Sequence, residues 1–132
     1  MANIPIGAKG EQTVLVTSEI AISFLELEAA RVLSTPNMIR LMEMTCRNTV
    51  LPLLDPGHDT VGTHVNVAHL AAAPIGMSVT FTAEVIRVEG RRVEFRVVAF
   101  DEKEKIGEGT HERGIINVAK FAAKLTEKRQ GK

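Results

Sequence analysis

Two ionisable residues stand in patterns that otherwise call for apolar ones. Glu43 sits at the margin of a seam in which Met38, Ile39, Met42, Thr45, Cys46, Thr49 and Leu53 recur at helical spacing. A carboxylate there can activate water as a general base, or attack an acyl carbon as a nucleophile. It can also pair with Arg47 one turn on, an interaction worth about 0.2–0.5 kcal/mol. His69 shares one face of an alternating segment with Val61, Thr63, Val65, Val67 and Ala71, while Gly62, His64, Asn66 and Ala68 take the other. A histidine on the apolar face either moves protons, orients a substrate or is a satisfied core residue. His64 falls on the opposite face, and His58 and His111 have no partner at ligand spacing, so no metal site is expected. Thr35, next to Pro36, has the form of a helix N-cap, with Ser34 as the other candidate. A helix N-terminus presents free N–H groups suited to an anionic oxygen.

These residues need a helix and a sheet to bring them together. Residues 34–55 read as one long helix, with Pro52 and Asp55-Pro56-Gly57 stopping or kinking it around Leu51 to Leu54. Ahead of it, Thr13–Thr17 reads as a strand, and Glu19–Leu33, with Ile22, Leu25, Ala29 and Val32 on one face, as a short helix or structured loop. After it the period changes to two. Strands are expected over 60–72, 77–89 (with a bulge near Ile86), 92–101 and 106–118, the second and third joined by a tight turn at Glu89-Gly90-Arg91. A short charged helix, Ala119–Arg129, closes the chain. Hairpin-length connections make the strands antiparallel, and the single seamed helix must cover one face of their sheet. The class is α+β: a curled antiparallel five-stranded sheet wrapped around one long central helix, the layout of the hotdog fold, whose edge strands commonly pair between subunits.

The chain's 132 residues suit one domain spanning 1–132. Sixteen basic and sixteen acidic residues leave no net field to draw nucleic acid. No apolar run approaches the roughly 20 residues of a membrane span, and the N-terminus lacks a secretory pattern. With Cys46 the only cysteine, no disulfide framework exists, and a cytoplasmic protein without membrane attachment is expected. Cys46 reads as a small buried hydrophobe. Gly107-x-Gly109 lacks the third glycine of a dinucleotide loop, and Lys120, Lys124, Lys128 and Arg129 read as a solvated face.

The runs L-M-E-M-T-C (41–46), V-A-H-L-A-A-A-P-I-G (67–76), V-E-G-R-R (88–92) and I-G-E-G-T-H-E-R (106–113) resemble the fluoroacetyl-CoA thioesterases of the hotdog superfamily. The resemblance covers most of the chain from Thr35 onward. It implies an acyl-CoA thioesterase that hydrolyses a short-chain acyl-CoA, substituted or halogenated acyl groups included, to free acid and CoA, with no cofactor. It further implies catalytic roles for Thr35, Glu43 and His69, helped by Gly62 and Arg113. Gly62 would let a ligand approach closely, and Arg113 would meet a phosphate or carboxylate unless it is an exposed strand arginine. The segment ahead of Thr35, where that family carries a phenylalanine-bearing lid, differs here, with one Phe24; Pro36 stands where the family has glycine. Hotdog enoyl-thioester hydratases would also use a carboxylate and a histidine, and a non-catalytic acyl-CoA-binding protein fits the same pattern. Eight residues of helix rise about 12 Å, too far for Thr35 to touch Glu43 in one chain. A homodimer with its active site at the subunit interface is therefore expected.

Overall fold

The computed structural model describes residues 3–24 and 26–131. A five-stranded antiparallel sheet is formed by β1 (Lys9–Leu15), β4 (His58–His69), β5 (Ser78–Glu89), β6 (Arg92–Phe100) and β7 (Lys105–Asn117), in the order β1-β5-β6-β7-β4. Helix α1 (Thr35–Val50) packs across one face and touches all five strands. The reason is alternation. Val79, Phe81, Ala83 and Val85 of β5 and Val93, Phe95, Val97 and Ala99 of β6 all point at the helix and are buried. Met38, Leu41, Met42, Cys46 and Val50 meet them from α1. Each large side chain so buried contributes about 1.5–3 kcal/mol.

Where turns were expected, glycines make them. Gly90, at φ +58°, opens the two-residue loop between β5 and β6 and lets Glu89 pair with Arg92. The expected bulge in β5 falls between Val85 and Arg87. Beyond α1, Leu51–Leu53 form a single 3-10 turn, as Pro52 requires. The closing helix α2 (Val118–Arg129) is exposed along its length, Phe121 and Leu125 included.

The segment read as a short helix over Glu19–Leu33 is instead a 3-10 turn, Ser18–Ile20, followed by a two-stranded hairpin, β2 (Ala21–Phe24) and β3 (Leu27–Leu33). Leu25 of the supposed helical face lies outside the described residues. Tertiary pairing decides the outcome. Leu33 N–H donates to Ala73 O, Ile75 N–H to Arg31 O, and Val32 bridges Pro74, which draws β3 out into an extended chain against the β4–β5 connection. Glu26, with φ +56°, makes the turn, and Ile22, Phe24 and Leu27 are left exposed beside it.

Candidate active site

Ser34, rather than Thr35, caps α1: its Oγ accepts from Asn37 N–H and from the Asn37 side chain, and it is buried. Thr35 is the first helical residue, and its hydroxyl is free of capping. It meets His69 instead, Oγ1 to Nδ1 at 2.7 Å. Burial pushes the His69 pKa down, against a smaller pull upward from the Ala71 backbone, so the ring is neutral at neutral pH. Its Nε2 is buried with no hydrogen-bond partner among the described residues. Gly107, opposite His69 in β7, keeps this end close-packed: a Cβ there would stand 2.7 Å from Met38 Sδ.

Two turns along α1, Glu43 is half-buried and does not pair with Arg47. Arg47 forks onto Asp59, Nε to Oδ1 at 2.9 Å and Nη2 to Oδ2 at 2.7 Å, and holds that carboxyl below its usual range. Arg40 turns to Asn37. Among the described residues the Glu43 side chain has neither a hydrogen bond nor an ion pair. Its neighbours are Gly62, His111 and Arg113. A Cβ on Gly62 would lie 3.2 Å from His111 Cε1, 3.5 Å from Arg113 Nη1 and 3.6 Å from Glu43 Oε1. Gly62 has no positive φ, so glycine serves here for space. The result is a gap in the strand, solvent-exposed at Gly62, with a carboxylate and a guanidinium on its walls.

Arg113 is not an exposed strand arginine: it is 6 % exposed. Its Nε donates to Thr60 Oγ1 at 2.7 Å, Nη2 to Thr60 O at 2.9 Å, and Nη1 lies 3.1 Å from His111 Nε2. Burial lowers its pKa, and the nearby Glu43 charge opposes that. Cys46, one turn from Glu43, has its thiol pushed up to about 12, chiefly by burial, and is no nucleophile.

Strict alternation along residues 60–72 sets Gly62 and His69 on opposite faces, yet both face α1. The reason is a bulge: Gly62 pairs with Arg113 and His64 with Glu112, leaving Thr63 as an extra residue whose hydroxyl ties to Glu112 O at 3.1 Å. One inserted residue flips the phase, so Thr60 and Gly62 before it and Val67 and His69 after it share the helix-facing side.

His111 has no ligand-spaced partner in the sequence and is absent from the expected site, yet it is 2 % exposed in the middle of it. The signal lies in β7 itself. Period two places His111, Arg113 and the buried Ile115 on one face. Among the described residues no group of three His, Cys, Asp or Glu is arranged to hold a metal ion, and no helix is long and apolar enough to cross a membrane.

The structure thus gathers the five expected residues into two clusters, Thr35 with His69 and Glu43 with Gly62 and Arg113, set about 12 Å apart along α1. The chain is 46 % identical over 101 residues to the fluoroacetyl-CoA thioesterase of Streptantibioticus cattleyicolor, covering 76 % of this chain and 73 % of that protein. A solved structure of a fluoroacetyl-CoA thioesterase superposes with a TM-score of 0.87 at 37 % identity, over 96 % of this chain and 98 % of that one. A hot-dog-like protein from Thermanaerovibrio acidaminovorans superposes at 0.85 with 27 % identity, covering 94 % and 92 %. The profile of the fluoroacetyl-CoA-specific thioesterases matches residues 16–119, from the end of β1 to beyond Arg113. Both clusters fall inside that span, and the chain belongs to the fluoroacetyl-CoA-specific thioesterase family.

Proposed function

We propose that the protein hydrolyses a short-chain acyl-CoA to the free acid and CoA, with the sheet curled around α1 as in the hotdog fold and the active site shared by two subunits. The observation that carries this reading is the unpaired Glu43 carboxylate at the Gly62 gap, with Arg47 taken by Asp59. An acyl thioester lying in the gap presents its carbonyl carbon to Glu43. The carboxylate either adds to that carbon, expelling the thiolate and leaving a mixed anhydride for water to cleave, or takes a proton from the attacking water. Oxygen-18 water in a single turnover assigns the role, by whether label enters the Glu43 carboxyl.

His69 and Thr35 of the same chain are too far along α1 to serve that carbonyl. A second subunit supplies them. Strand β4 is a sheet edge, and it is exposed from Gly62 to Asn66. Antiparallel pairing of two β4 edges about a two-fold axis at Asn66, with Thr63 left out of the pairing as the bulged residue, sets Gly62 of one subunit opposite His69 of the partner subunit. Opposed residues point to the same face, so the pairing brings the Thr35–His69 pair to the Glu43 gap. Neutral His69 takes a proton from the attacking water at Nε2 and, as imidazolium, returns it to the thiolate, while Thr35 holds the ring at Nδ1.

The test has two steps. Release of free thiol from a panel of acyl-CoAs establishes hydrolysis, and enoyl consumption without thiol would refute it. Mixed dimers of Glu43→Gln and His69→Ala then locate the site. Each variant alone is inactive, and random mixing leaves half the dimers mixed, each with one whole site, so about a quarter of wild-type activity returns. No return of activity in a proven heterodimer overturns the shared site.

A further inference from the structure

His111 has no role in the family resemblance, yet it holds the Glu43 cluster together. Its Nδ1 lies 2.8 Å from the His64 carbonyl, which only accepts, so Nδ1 carries the proton. Its Nε2 is therefore a bare lone pair in the neutral ring, and it accepts from Arg113 Nη1 at 3.1 Å. Protonation would set two donors face to face. Burial favours the neutral form, and the ring stacks on Phe95 at 6.4 Å between centroids. One imidazole thus clasps the carbonyl just past the β4 bulge and fixes the guanidinium beside the gap.

We propose that His111 is a positioning residue that aims Arg113 Nη1 into the Gly62 gap, where the remaining Nη1 N–H meets the oxygen of a bound thioester carbonyl. Three observations meet in it. Nη1 is the guanidinium nitrogen that borders the gap, 3.5 Å from where a Gly62 Cβ would be. The other two nitrogens are held on Thr60, so the fork can only tilt about the line joining them, and His111 sets that tilt. The bulge that turns Gly62 toward α1 is closed by the same ring, which couples the shape of the gap to the cation in its wall. An oxyanion formed in the gap would find a donor already in place.

The assignment of the ligand rests on the thioesterase reading, so the experiment separates the two. His111→Asn keeps a short donor for the His64 carbonyl and removes the acceptor for Arg113. His111→Gln reaches Arg113 with its side-chain oxygen and loses the clasp on the bulge. On the acyl-CoA that the wild type cleaves best, His111→Asn lowers kcat about 10- to 100-fold with KM within about twofold, and His111→Gln recovers most of that loss. In an Arg113→Lys background His111→Asn costs nothing further, because the group it positions is gone. The physical half is read without turnover, by NMR of ¹⁵N-arginine-labelled protein. Restricted Nη rotation of Arg113 is seen in the wild type and His111→Gln and is lost in His111→Asn. Equal kcat in His111→Asn and wild type overturns the proposal. So does equal loss in both substitutions, or Nη rotation unchanged by either.

Discussion

The two clusters on α1 are built by opposite means. At the helix start, Thr35 is exposed and touches His69 through one hydrogen bond, and the far ring nitrogen has no partner among the described residues. Further along, Arg113 and His111 are almost wholly buried and bonded to Thr60, His64 and each other, and the carboxylate they flank is unpaired. One cluster is open, the other rigid, with an unpaired carboxylate beside the gap. A site meant to work within one chain would have no reason to place its halves two turns apart. The asymmetry suits one half delivering a neutral proton carrier to a carboxylate that the other half holds ready.

The largest way to break this comparison is to fill the gap. Gly62→Ala puts a methyl 3.2 Å from His111 Cε1 and 3.6 Å from Glu43 Oε1 at a position with no glycine-only backbone angle. We expect the chain to stay folded while kcat/KM falls about 100-fold, since displacing substrate by about 1 Å has effects of that size. Thermal unfolding measured beside thiol release checks it. An unchanged rate would mean that substrate does not use the gap.

A finer separation comes at the helix start, where neighbouring hydroxyls do different work. Ser34→Ala removes the cap and should cost about 1 kcal/mol of stability while leaving kcat nearly intact. Thr35→Ala should leave the denaturation midpoint in place and lower kcat about fivefold, the worth of one hydrogen bond of about 1 kcal/mol. Denaturant titration paired with kinetics reads both. If Ser34→Ala proved the slower enzyme and Thr35→Ala the less stable protein, Thr35 would be the cap and Ser34 the hydroxyl that serves catalysis.

How much of this the sequence carried depends on what sets each feature. Element types from Thr35 onward were legible because alternation and helical spacing answer to one local rule each, and the ends of β5, β6 and β7 fall within a residue or so of where the pattern put them. The β2–β3 hairpin was not, because its backbone bonds go to residues 73–75, some forty positions on. The site was half legible. Glu43 and His69 stood out as charge on apolar faces, but the face shared by Gly62 and His69 depends on one extra residue, Thr63, whose insertion leaves no mark in the period around it. Arg47 looked like the partner of Glu43 because it is one turn away; Asp59, which takes it, arrives only when β4 folds back beside α1.

The smallest expected effect tests the burial of the two histidines against each other. Both have pKa values held below the ordinary 6.5, mainly by burial. The unfolded chain then binds more protons than the folded one as pH drops below about 6.5, so stability is full above that value and declines toward the depressed folded values. Asp59, lowered from 3.8 by Arg47, adds its own loss only in stronger acid. Denaturant midpoints taken between pH 7.5 and 5 should therefore fall, and the fall should shrink more in His111→Gln than in His69→Gln, because His111 is the more deeply enclosed ring and sits beside the Arg113 cation. In the proposed β4–β4 pairing the partner's edge shields His69 only in the dimer, so on that reading dilution below the dimer dissociation point should weaken its share and leave that of His111 untouched. A pH response that changed equally for both rings on dilution would place His111 at the interface as well, and the rigid cluster would lose its independence from the partner.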